Sequence, residues 1–197
     1  LIFNKSKTFF LVIILILFNT TFSRPPYIEN EQTDQELDRT SRPEKTFLIH
    51  TTNNMWSSLT NFGSIGDPNF ASTGRPSAQW PAGSGNNYLY DSGIWVATEI
   101  GGEPIAKTYF YYTEMKEWEP TVGFDGDIGS YVNNQKSKSL EDSYVVFDDI
   151  DSEDISNQIP LGIKIIQRGL TWSLPEYDDF IAFELSIINT GLNGDLE

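Results

Sequence analysis

Acidic side chains at alternate positions in a polar stretch are the residues here best suited to chemistry. Asp148-Asp149-Ile150-Asp151-Ser152-Glu153-Asp154 directly follows an apolar run, and Asp125-Gly126-Asp127 lies in the loop before it. Carboxylate oxygens spaced this way on a loop suit Ca²⁺, a hard cation that collects several oxygen ligands in flexible geometry. Asp149, Asp151 and Glu153, with Asp125 and Asp127, are the expected ligands of a calcium ion that orders the loop. The segment lacks the glycine and the closing glutamate of an EF-hand loop. The competing reading is a solvated acidic loop that keeps the surface soluble, which is what charge runs usually are.

Flat apolar rings are the second chemistry on offer, since sugar faces stack on them. Trp56, Trp80, Trp95, Trp118 and Trp172 are present, with Tyr109, Tyr111 and Tyr112. Trp95 falls within an alternating strand and Trp172 beside strand ends, so both are expected in the core. Trp80 and Trp118 stand near Pro81 and Pro120 in loop-like sequence and form the expected exposed, carbohydrate-binding pair. Core packing competes here too, because β-protein interiors use aromatic residues heavily.

The catalytic inventory is thin. The one histidine, His50, ends the short run Phe47-Leu48-Ile49; a lone histidine is more often structural than catalytic, and no second one exists to complete a metal pair. There is no cysteine nucleophile and no Gly-x-Ser-x-Gly elbow. Gly63-Ser64-Ile65-Gly66 and Gly83-Ser84-Gly85 lack the lysine and the strand-to-helix setting of a phosphate loop. Paired carboxylates can cleave glycosides, but nothing in the sequence selects a pair from the 28 acids.

The elements that must position these residues read as strands. From Thr46 onward short β-like runs alternate with Gly, Pro, Asn and Asp clusters. The clearest hairpin runs from Ile94 to Ile100, turns through Gly101-Gly102-Glu103-Pro104 and returns from Ile105 to Tyr112. Ile94, Val96 and Ile100 share one face of its first arm, and Ile105, Tyr109 and Tyr111 one face of its second. Leu161, Ile163 and Ile165, then Ile181, Phe183, Leu185 and Ile187, predict a second pair joined by a longer connection through Trp172 and Asp178-Asp179. Shorter strands are expected over Thr46 to Thr51, Met55 to Asn61 and Tyr144 to Phe147. Residues 63–87 and 123–142 read as long surface loops, the usual seat of binding. Several short strands with one apolar face predict an all-β, antiparallel β-sandwich with long loops; a barrel is the alternative.

Composition narrows the partners. Thirteen Lys and Arg against 28 Asp and Glu give a formal charge of −15, so no basic face exists for nucleic acid. The charge also repels anionic lipid and attracts cations. The absence of Cys excludes disulfides and thiolate metal sites and, in an exported chain, tilts the source toward bacteria.

The N-terminal residues supply an address. Lys5 and Lys7 precede the apolar run from Phe9 to Phe18, and Thr21 and Ser23 are small residues suitably spaced for cleavage after Ser23. Residues 1–23 are therefore read as a signal peptide, the apolar run being too short to span a bilayer, so that no stable membrane span remains after cleavage. Residues 24–45 are charged, Pro-containing and nearly free of large apolar residues, and predict a flexible acidic tether. Residues 46–197 form the expected folded domain. Because the chain begins with Leu and stops at Gly194-Asp195-Leu196-Glu197 after a turn signal, that domain is expected to be truncated, with further domains downstream.

Several phrases occur together in order between Asn54 and Gly191: Asn61-Phe62-Gly63-Ser64-Ile65-Gly66, Trp80-Pro81-Ala82-Gly83, Tyr88-Leu89-Tyr90-Asp91-Ser92-Gly93-Ile94-Trp95-Val96-Ala97, Leu161-Gly162-Ile163 with Gln167, Trp172-Ser173, Asp178-Asp179-Phe180 and Asn189-Thr190-Gly191. In these the chain resembles the N-terminal regions of large secreted proteins of Bacteroidetes-like environmental bacteria, many of which end in a type IX secretion sorting domain. The resemblance implies a surface or extracellular protein with more β-sandwich modules downstream, and no particular activity. Asn-Phe-Gly and Asn-Thr-Gly are expected to end strands with residues that tolerate a left-handed backbone.

Two functional readings follow. The first is a non-catalytic extracellular or cell-surface module for attachment, display or domain presentation, with a surface glycan or protein as partner. The alternative is the accessory domain of a secreted polysaccharide-acting hydrolase, or a carbohydrate-binding module using Trp80 and Trp118.

Overall fold

A computed structural model describes residues 42–107, 117–121, 124–150 and 160–191, all within the unit spanning residues 38–197. The expected leader, residues 24–41 of the expected tether, and Tyr109, Tyr111 and Tyr112 lie outside the described residues. Among those described, no helix is long and apolar enough to cross a membrane.

The chain is all-β and antiparallel. In order the strands are β1 (Phe47–His50), β2 (Ser57–Thr60), β3 (Val96–Ile100), β4 (Glu103–Lys107), β5 (Glu119–Pro120), β6 (Asp127–Gly129), β7 (Tyr131–Val132), β8 (Gln135–Lys136), β9 (Glu141–Asp148), β10 (Ile163–Thr171) and β11 (Ala182–Asn189). A single helical turn, Phe70–Thr73, interrupts them. The main sheet runs β11-β10-β9-β5, with β6 also on β9; β1-β2, β3-β4 and β7-β8 are separate two-stranded ribbons. Only one wide sheet forms among the described residues, and what faces it is ribbon.

The long strands follow from period two. Ser143, Val145 and Phe147 of β9 stand opposite Gly169, Gln167 and Ile165 of β10, and these stand opposite Phe183, Leu185 and Ile187 of β11. That face carries the core: Val145, Phe147, Ile163 and Ile165 are buried with Leu161, Trp118 and Leu59. Leu48, Phe62, Ile94, Val96, Ile100 and Ile105 pack against it from the ribbons and loops. Pro120, which has no N–H for a ladder, sits at the margin of the sheet where none is needed.

The phrase Asn61-Phe62-Gly63 ends β2 as expected. Gly63 has φ +96, and a Cβ there would lie 2.5 Å from the Phe147 ring, so positive φ and close approach both require glycine. Asn189-Thr190-Gly191 ends β11 in the same way, with φ +72 at Gly191.

Three expectations are corrected. The β3-β4 hairpin turns through two residues, Gly101 and Gly102 (φ +62 and +88), rather than four, and Glu103 and Pro104 already pair with Ile100 and Glu99. Residues 123–142 are not simply loop, because β6, β7 and β8 fall within them. Tyr144 to Phe147 is the middle of a strand twice as long, β9. By contrast, residues 63–87 hold no strand, only the turn Phe70–Thr73 and isolated bridges at Ile65, Gln79 and Asn87, and they are built around Asp67. The Asp67 carboxylate accepts from Asn69 N, Thr73 Oγ1 and Arg75 Nε, while the Arg75 guanidinium stacks 3.8 Å over the Phe47 ring.

Residues just before Thr46 are tied to the sheet. The Arg42 guanidinium donates to Pro120 O and pairs with Asp148 at 3.0 Å, and Lys45 pairs with Glu119 at 2.9 Å.

Candidate functional site

The expected calcium ligands do not assemble among the described residues. Asp149 turns inward: it is fully buried, Oδ1 accepts from Ile163 N at 2.9 Å and Oδ2 from Leu161 N. It holds the backbone at the start of β10, a role the sequence reading of Asp149 as a calcium ligand does not include. Asp127 accepts from Asn133 N inside the β7-β8 turn, and Asp125 is exposed. Asp151 and Glu153 lie outside the described residues. No group of three or more His, Cys, Asp or Glu placed to hold a metal occurs among those described.

The expected aromatic pair also divides. Trp118 is a core residue, 3% exposed, meeting Phe147 edge to face with centroids 5.6 Å apart. The neighbouring Pro120 marks a short edge strand rather than a loop, and that is why the expectation of exposure fails. Trp80 is half-buried and donates its indole N–H to Asp179 at 2.8 Å. Trp95, expected inside, is 73% exposed, because Val96 and Ile100 take the inward positions of β3 and leave the alternate ones to solvent. Tyr88 and Tyr90 are exposed as well. Trp172 is half-buried and forms a ring cluster with Tyr177 and Phe180 at 6.5 and 6.0 Å.

The arrangement nearest to a catalytic constellation forms no motif in the sequence. His50, at the end of β1, places Nδ1 3.1 Å from Glu141 Oε1 and Nε2 2.9 Å from Ser143 Oγ, both on β9. With Glu141 accepting at Nδ1–H, the ring offers Nε2 as acceptor to the serine hydroxyl, the connectivity of a Ser-His-acid triad. The backbone of Gly169 on β10 donates to Ser143 Oγ at 3.1 Å. Thr51 N and Thr52 Oγ1 also donate to Glu141 Oε1.

Access decides what this relay can do. His50 and Ser143 are fully buried, and even a methyl group at Gly169 would lie 2.5 Å from Ser143 Oγ, 2.7 Å from His50 Nε2 and 3.2 Å from the Phe183 ring. An acyl substrate has no room beside the hydroxyl, and the Gly169 amide points at Oγ rather than at an oxyanion position. The relay ties β1, β9 and β10 together. Its partners are 91 and 93 residues apart in sequence; the only local signal is a serine in line with Val145 and Phe147 on an apolar face, which implies a buried partner.

Two further charged groups are enclosed. Burial alone would raise the Asp142 carboxyl, but hydrogen bonds from Ser139 Oγ, the Lys138 and Ser139 amides and Arg168 prevail and hold it below its ordinary range. Lys107 is 0% exposed; burial pushes its amine below the usual lysine range, and the nearby Asp149 and Glu117 carboxylates oppose that shift.

The chain matches no protein-family model, no curated protein and no solved structure.

Proposed function

We propose that the chain is a non-catalytic extracellular or cell-surface module for attachment, display or presentation of further domains. One observation carries the reading: the sole nucleophile-base-acid relay among the described residues is sealed, and its groups satisfy one another across three strands. The leader-like pattern of Lys5, Lys7 and the Phe9 to Phe18 run supports the location. Expression with the native N-terminus in a bacterial host tests the address. Exported protein whose first residue is Arg24 is expected; retention inside the cell with residues 1–23 attached would contradict it.

A carbohydrate-binding role is the second reading, favoured by the exposure of Tyr88, Tyr90 and Trp95 within eight residues of chain. Exposed rings of this kind are suited to stacking on sugar faces. On a glycan array, binding that Trp95→Ala abolishes would support this role, and a blank array would remove it.

A further inference from the structure

Among the described residues β11 pairs with β10 alone, and its other side is open. Which backbone groups face that opening follows from the ladder. Thr190 N donates to Gly162 O at 2.7 Å, one step beyond the pairing of Ile163 with Asn189. Antiparallel ladders alternate bonded and unbonded pairs, so the even-numbered residues of β11 turn their N–H and C=O groups to β10 and the odd-numbered ones turn theirs outward. Phe183, Leu185 and Ile187 therefore present backbone donors and acceptors at the edge, and their side chains continue the face that holds Gly169, Gln167 and Ile165. Burial ends there: Ile165 and Gln167 are fully buried, while Leu185 and Ile187 beside them are exposed. The strand has no proline or lysine, and its register on β10 runs without a bulge, so nothing blunts the edge.

We propose that β11 joins β11 of a second copy of this chain, antiparallel about a two-fold axis, so that the two main sheets become one. The outward groups limit the register, because only odd-numbered residues can face odd-numbered ones across the new ladder. With Leu185 opposite its own image, Phe183 faces Ile187 of the second copy and Ile187 faces Phe183, each pair exchanging both backbone hydrogen bonds. On the other face Glu184, the one charged residue of β11, falls opposite Ser186, whose hydroxyl can donate to it. Lys138 already pairs with Glu184, so the edge carries little net charge. Moving the axis to Ser186 sets Phe183 against Asn189 and Glu184 against Ile188; moving it to Glu184 puts two like charges face to face. The apolar residues and the single charge are thus arranged to match their own image, which singles out a second copy over an unrelated strand.

Sedimentation equilibrium of the folded full chain tests this, with cysteine cross-linking to read the register. The wild type is expected to show a concentration-dependent dimer that tightens as salt rises, because two copies of charge −15 repel each other. Ile187→Lys makes each copy less acidic, yet it is expected to weaken the dimer at least about tenfold by setting an ammonium against Phe183. The chain has no cysteine, so a single one introduced reports its own neighbour. Under mild oxidation Leu185→Cys is expected to link two copies, while Ile187→Cys, which faces Phe183, is not. A wild type that stays monomeric up to about 1 mM would overturn the proposal. So would association that Ile187→Lys leaves unchanged, as contact through the apolar run Phe9 to Phe18 would give, or Ile187→Cys linking as readily as Leu185→Cys.

Discussion

Ser143 is bonded on both sides, to His50 Nε2 at 2.9 Å and from Gly169 N at 3.1 Å. Ser143→Ala leaves two buried polar groups without partners, so a loss of about 1–3 kcal/mol in urea unfolding is expected. Asp142 behaves differently because its folded carboxyl is held below the ordinary range. A depressed carboxyl adds stability above its unfolded-state pKa, about 3.9, and loses it as pH falls through the lower folded value. Asp142→Asn should therefore cost about 3–5 kcal/mol at neutral pH, since it strips Arg168 of its buried partner. Unfolding curves of the variant and the wild type should converge in strong acid. Gln167 is the opposite case: it is fully buried, and neither amide atom has a hydrogen-bond partner. Gln167→Met keeps the shape and removes the unmet groups, and should raise stability by about 1–3 kcal/mol in the same assay.

Among the elements, β10 and β11 were legible because Ile163, Ile165, Phe183, Leu185 and Ile187 keep strict alternation over long ladders. The β3-β4 register was not, since Pro104 is a turn former and Glu103 a poor strand former, yet both pair at the exposed end of a ribbon where they are tolerated. β6, β7 and β8 are two or three residues long, too short for any period to register. Trp118 shows the same limit from another side: its burial depends on Phe147, a contact no local pattern encodes. Among the described residues β11 is the outer strand of the main sheet, and Ile187, 57% exposed, continues a face whose β10 neighbour Ile165 is fully buried. An apolar edge without proline or lysine favours strand addition between molecules. Ile187→Lys should leave stability within about 0.5 kcal/mol while lowering light scattering in concentrated solution.

At the scale of the whole molecule, buried and paired polar groups hold the fold together. Asp149 starts β10, Asp148 anchors Arg42, Asp67 gathers its loop, and His50 joins three strands. Among the described residues these polar groups turn inward, while Tyr88, Tyr90, Trp95 and the β11 side chains Ile187 and Ile188 stay exposed. The sealed relay is decisive for the proposed non-catalytic role, because a Ser-His-Glu chain open to solvent would mark a hydrolase. Incubation of the folded protein with a fluorophosphonate probe, followed by peptide mapping, tests it directly. Ser143 is expected to stay unlabelled, with wild type indistinguishable from Ser143→Ala; labelling of Ser143 in folded protein that His50→Ala abolishes would contradict it.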